Sequence, residues 1–232
     1  MKKIALFLMM CLPMMAMAQS NWEVPAAKTQ KVAEKVEKKN TATTKVKVAK
    51  VKDTKQSNKV SVIKEADRPY LAGAVPEVDG KVVFNTDIEV PGKSAAEIYD
   101  LVYAELERLT SDEHQTGNSK IALINRDDKS IVATCSEWLV FSDKLLVLDR
   151  AEMNYVVLAK CFNGKVSVTI ERITYKYDTE RNPGITPAEE LITDKWMLAN
   201  NGTKLKKLNS KFRKGTVDRT NNIFDELKRG IK

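Results

Sequence analysis

From Arg68 onward, hydrophobic and polar residues recur in patterns that separate strands from helices. Val82, Phe84, Ile88 and Val90 recur with period two around Thr86, after the turn pair Asp79-Gly80, as expected of a strand with one buried face. Pro91-Gly92 ends it. Ser94 then suits the N-cap of a helix, and Glu97 three residues on completes a capping box. Ile98, Leu101, Val102, Leu106 and Leu109 follow at helical spacing to about Thr110. A polar loop, 111–118, leads into a predicted strand over 120–126. Asp127-Asp128 turns the chain back into a strand over 130–141. Two more strands, 153–162 and 165–177, flank Asn163-Gly164, a strong hairpin signal because both residues tolerate positive φ. Residues 187–198 and 204–231 read as helices, the second broken at Gly215.

The order strand, helix, four strands, helices predicts an α+β fold. Its antiparallel sheet would have about five strands, with helices on one face. The Asn163-Gly164 turn sets a register that pairs Phe162 with Lys165. On the other face it pairs Cys161 with Val166, Ala159 with Val168 and Val157 with Ile170. This second face, small and apolar, is the expected core, together with Ile131, Ala133, Cys135, Leu139 and Phe141. The opposite face would carry Val156, Leu158, Lys160, Phe162, Ser167, Thr169, Glu171 and Ile173, beside Val132, Thr134, Ser136, Trp138 and Val140. Such a face is too apolar to be plain solvated surface, so a C-terminal helix or a partner should cover it. Trp138, Val140, Leu158, Phe162 and Ile173 are the candidate partner-binding residues, Trp138 and Phe162 being the aromatic anchors.

The two ends of the chain have a different texture. Lys2 and Lys3, an apolar stretch over 4–15 and the small-x-small ending Ala16-Met17-Ala18 have the layout of a secretory signal, with cleavage expected after Ala18. Cys11 does not convert this into a lipoprotein signal, because Leu8-Met9-Met10 lacks the small residue that must precede a lipidated cysteine. Residues 19–65 hold twelve lysines against five acids and no Leu or Ile before Ile63. A stretch so poor in apolar residues is read as a disordered tether. The net charge of +8 therefore needs partitioning: residues 19–65 carry +7, residues 66–202 carry −8 and residues 203–232 carry +7. An acidic body lies between two basic ends, which speaks against a DNA-binding sheet face needing positive charge to meet phosphates. The predicted organisation is a signal peptide (1–18), a lysine-rich tether (19–65), an α+β domain (66–182) and basic, amphipathic C-terminal helices (183–232).

The run Gly73-Ala74-Val75-Pro76-Glu77-Val78-Asp79-Gly80-Lys81-Val82-Val83-Phe84, with Pro91-Gly92-Lys93-Ser94 before the helix, resembles the opening of a family of exported Bacteroidetes proteins, domain of unknown function 4468. The resemblance covers roughly residues 70–180. It implies a TATA-binding-protein-like (TBP-like) fold, a curved antiparallel sheet with helices on one face. The matching residues form turns and strand starts, and the family supplies no catalytic residues to carry over.

Little in the sequence points to reaction chemistry. Cys135 and Cys161 both fall on the expected core face. In an oxidising compartment they could form a disulfide if their strands are neighbours; the alternative is two buried, inert thiols. His114, the single histidine, sits in the polar loop Asp112-Glu113-His114-Gln115, where local neighbours do not supply the three or four converging ligands of a metal site. Asp127-Asp128 suits a tight turn better than paired acid–base work. No catalytic residues, metal or cofactor are therefore expected, and the chain is not expected to be an enzyme. In the C-terminal segment, Leu205, Leu208, Phe212, Ile223, Phe224, Leu227 and Ile231 alternate at three- and four-residue spacing with Lys204, Lys206, Lys207, Lys211, Arg213 and Lys214. A basic amphipathic helix can bind an anionic membrane or cap a sheet with its lysines in solvent. The expectation is an exported, periplasmic binding or envelope accessory protein whose open sheet face takes a protein or peptide partner, with no nucleic acid involved. The alternatives are a carrier of a lipid or other apolar small molecule, favoured by Ala133, Ala159 and Cys161 on the inner face, and attachment to anionic envelope surfaces through the basic ends.

Overall fold

The computed structural model describes Glu23 and residues 64–144, 147–177 and 184–232. The expected signal peptide and nearly all of the tether lie outside the described residues. After a short 3-10 turn (Glu65–Tyr70) come β1 (Glu77–Val78), β2 (Lys81–Glu89), α1 (Ala95–Thr110), β3 (Lys120–Asn125), β4 (Ser130–Lys144), β5 (Val147–Phe162) and β6 (Lys165–Lys176). The chain continues through β7 (Thr186–Pro187), α2 (Ala188–Leu191), α3 (Asp194–Met197), β8 (Leu198–Ala199), β9 (Lys204–Leu205) and α4 (Ser210–Ile231). Among the described residues β1 to β7 form one sheet in the order β1-β2-β6-β5-β4-β3, with β7 also on β6. All pairings in it are antiparallel. The class expected from the sequence holds; two two-residue strands, β1 and β7, enlarge the sheet.

Local chemistry explains the start of α1 and the register of the sheet. Ser94 Oγ accepts the Glu97 N–H at 3.3 Å and the Glu97 carboxylate accepts the Ser94 N–H at 2.8 Å, so the capping box forms as read. Gly164 adopts φ 80° in the β5–β6 turn. The turn is docked, because the Asn163 side-chain oxygen accepts the Ala95 N–H at 2.9 Å and Gly164 N–H donates to the Lys93 carbonyl at 2.9 Å. The predicted pairs Phe162–Lys165, Cys161–Val166, Ala159–Val168 and Val157–Ile170 are all present.

Both long helices lie on the same face of the sheet, packed against it and against each other. Ile98, Val102 and Leu106 of α1 and Phe212, Val217, Ile223, Leu227 and Ile231 of α4 enter one core with Ile131, Ala133, Val157, Ala159, Val166 and Val168. The small residues on the sheet's inner face thus admit the helical side chains. The helix α4 therefore belongs to the same folded body as the sheet, and its apolar stripe is core. It also runs unbroken through Gly215, contrary to the reading of that glycine as a break. A Cβ there would lie 3.2 Å from Leu139 side-chain atoms, so the glycine lets α4 approach β4 closely.

Three further expectations are corrected. Residues 187–198 are two four-residue helices rather than one, since the chain breaks at Ile192-Thr193 and Thr193 starts α3. The strands β4 and β5 run on as far as the pair Lys144–Val147, extending past β6, which last pairs at Glu152–Lys176. Residues 139–144 of β4 and 147–151 of β5 thus form a two-stranded ribbon that projects beyond β6, where the sequence predicts no strand after 141 or before 153. Finally, Ile173 is buried, not part of the outer face. Val156 opposes Glu171 but Asn154 opposes Thr174, so β6 carries one extra residue at this point. Arg172 takes it up at φ 55°, a bulge that exchanges the two faces of the strand beyond it.

Candidate functional site

The sheet face away from the helices is the candidate site. Leu158 on β5 opposes Val132 on β4 and Thr169 on β6. Val132 in turn opposes Leu123 on β3, and Thr169 opposes Asn85 on β2. These residues form a band across the sheet, with Val156 in the next row. Leu158 is 37% exposed; Leu123, Val132 and Val156 are half-buried. Ion pairs frame the band: Lys160 with Asp128 at 2.9 Å, Lys165 with Asp87 at 3.2 Å and Lys176 with Glu152 at 3.2 Å. An apolar centre inside a polar rim is the composition of protein-binding patches.

The structure separates the predicted anchors. Trp138 lies opposite Glu152, ten residues along β5 from Phe162, or roughly 33 Å at about 3.3 Å per residue. Phe162, 40% exposed, sits at the β5–β6 hairpin end with the Lys165 ammonium 5.7 Å from its ring centre. Trp138 stands at the foot of the projecting ribbon and Val140 within it, and the Arg150 guanidinium stacks 3.8 Å from the Trp138 ring centre. Leu158, between the two, is the member of the predicted set that lies in the central band.

Beneath the helices lies a polar cluster that the sequence reading missed. Glu137 is 1% exposed, on the inner face of β4. Its carboxylate accepts two bonds from Arg219 of α4, at 2.9 Å each, and one from the Gln115 amide at 3.0 Å. Burial works against the Arg219 charge, but the bonds and charge of Glu137 more than offset it and raise the guanidinium pKa. The network continues through Glu226 to Arg108 and Glu105, in an open groove between α1 and α4. The loop before β3 is drawn into the same arrangement: Gln115 bridges Glu137, Thr116 N–H donates to the Ser136 carbonyl at 2.7 Å and Trp138 N–H to the His114 carbonyl at 3.0 Å. No sequence periodicity links Glu137 with Arg219, eighty-two positions away.

The other candidates also have definite places. Cys135 opposes Tyr155 and Cys161 opposes Val166. Six residues of β5 separate Tyr155 from Cys161, roughly 20 Å, whereas a disulfide needs Cα atoms within about 7 Å. Both thiols are free, which excludes the disulfide and leaves the alternative of two buried thiols. Burial pushes each thiol up to about 12. Neither should react with a disulfide-exchange reagent at pH 8 in the native protein, while both react in denaturant. A native titration that counted one thiol would show that its side of the core opens. In the C-terminal segment Arg213 is wholly buried, which corrects its assignment to a membrane-facing set. Lys211 is paired with Asp149 at 2.7 Å beneath the Tyr177 ring, and Lys214 with Asp67. Lys204, Lys206 and Lys207 are exposed and precede α4. His114 stands in an exposed loop with Nδ1 2.7 Å from Asp112.

One antiparallel sheet, gripped on a single face by two long helices and, among the described residues, bare on the other, defines a TBP-like α+β domain. The model of the family described as "Domain of unknown function (DUF4468) with TBP-like fold" matches residues 84–176. A crystal structure of a DUF4468 family protein from Bacteroides ovatus is 37% identical, covers 72% of this chain and 96% of that one, and superposes with a TM-score of 0.67. The chain belongs to the DUF4468 family. A TBP-like protein from Parabacteroides distasonis, 22% identical over 68% of this chain and 97% of that one, shares the fold with a TM-score of 0.54. No curated protein matches the chain.

Proposed function

We propose that this is an exported, non-enzymatic binding protein of the cell envelope that docks a protein or peptide on its bare sheet face. The observation that carries this reading is the band Leu123–Val132–Leu158: apolar, rimmed by ion pairs, and left uncovered by α1 and α4, which both lie on the other side. A photo-crosslinking residue at Leu158, introduced into the protein in its native cells, should give a discrete adduct that is absent when the same residue replaces Asp225 on the exposed side of α4. Leu158→Glu should abolish capture by a crosslinker at Val156 while shifting the thermal midpoint little. Equal labelling from both positions, or a large loss of stability in Leu158→Glu, would sink the proposal.

The carrier reading keeps one supporting observation. The hydroxyl of Tyr99 is buried with no hydrogen-bond partner among the described residues, and buried polar groups ordinarily have one. Native mass spectrometry of the protein purified from its own cells separates the readings, because a carrier retains extra mass.

A further inference from the structure

Glu23 is tied to the sheet through its backbone. Its N–H donates to the Ile124 carbonyl and its own carbonyl accepts the Ile124 N–H, both at 2.7 Å. This is the reciprocal pair of an antiparallel ladder. The strand β3, which carries Ile124, ends the sheet order on its side, so its outward N–H and C=O groups form a sheet edge, a template for any extended segment. The chemistry of the segment limits the pairing to a short stretch. Two residues beyond Glu23 in the sequence is Pro25, which has no N–H to donate to a further rung. In the other direction β3 itself ends at Asn125. Residues 24–63 between the two attachment points give ample length to close the loop, and loop-closure entropy grows only slowly with length.

We infer that the edge of β3 is a strand-accepting site whose occupant is the chain's own N-terminal segment centred on Glu23. The lysine-rich segment is then fastened to the folded body at both ends instead of trailing from one. A foreign strand that adds to β3 must first displace it. The site is separate from the sheet-face band, and its failure would leave that proposal standing.

Amide hydrogen exchange tests it, read by NMR on a chain beginning at Gln19, on Glu23→Pro and on a chain lacking residues 19–27. The Ile124 amide should exchange on the order of tenfold faster in both variants, the consequence of losing a reciprocal pair of backbone bonds. The amide of Ile131, at the centre of the sheet, should keep its rate and thereby show that the fold is intact. Equal Ile124 rates in all three chains would overturn the inference. Protection that grows with protein concentration would overturn it too, by assigning the strand to a second copy.

Discussion

Arg219→Met should lower the unfolding free energy by roughly 3–5 kcal/mol, the usual cost of stranding one partner of a buried ion pair. The carboxylate left behind, Glu137, is 1% exposed and would keep only the Gln115 amide of its three side-chain donors. The double variant Glu137→Leu/Arg219→Met should recover most of the loss, since a buried pair replaced by apolar groups of similar size is often neutral or better. Chemical denaturation of the two single variants and the double variant measures this directly. If Arg219→Met alone were neutral, water would have to reach Glu137 in the folded state, and the close packing of α4 on β4 would be wrong.

Arg213 should be comparably sensitive, through a different mechanism. Its guanidinium donates to the carbonyls of Tyr70, Leu71 and Ile192 and to the Asp194 carboxylate, at 2.6–2.7 Å. One side chain thereby ties α4 to the 3-10 turn at Glu65–Tyr70 and to the segment around α2 and α3. Arg213→Met removes all four donors' contacts and should cost about 3–5 kcal/mol, because buried acceptors left unpaired carry their full desolvation penalty. Arg213→Lys should rescue little, since an ammonium cannot reproduce a planar fork. Hydrogen exchange should localise the damage, with faster exchange in residues 65–71 and 188–199 than in β4 and β5. Uniformly faster exchange would mean that Arg213 supports the whole core instead.

The elements legible in the sequence were those written in local chemistry. Ser94 with Glu97 marked the start of α1, and Asn163-Gly164 fixed a register that correctly sorted Cys161, Ala159 and Val157 from Phe162, Lys160 and Leu158. What escaped depends on residues distant in sequence, or on backbone states that side chains do not announce. The sequence predicts no strand between 141 and 153, where charged residues interrupt the alternation, yet Asp149 is satisfied by Lys211, sixty-two positions away. Glu137 sat at an inward position of β4 but gained its meaning only when Arg219 arrived from α4. Gly215 reads as a breaker by propensity, and tertiary packing against Leu139 overrides that. The candidate site was legible as a face but not as a patch. Period-two alternation tells which side a residue is on, while how far Trp138 stands from Phe162 requires knowing how long the strands run.

The bulge at Arg172 means that β6 is read in two frames. Up to Glu171, even-numbered residues face the helices; from Ile173, odd-numbered ones do, and Ile173 and Tyr175 are each 1% exposed. Arg172 is the one non-glycine residue with positive φ inside a strand among the described residues, and it acts as the frame-shifting position. Loss of Arg172 would leave both faces in place, because Ile173 would then follow Glu171 directly and alone oppose Tyr155. Flattening the bulge with the residue kept would instead impose simple alternation through Arg172, turn Ile173 and Tyr175 to water and bring Thr174 and Lys176 beneath α4.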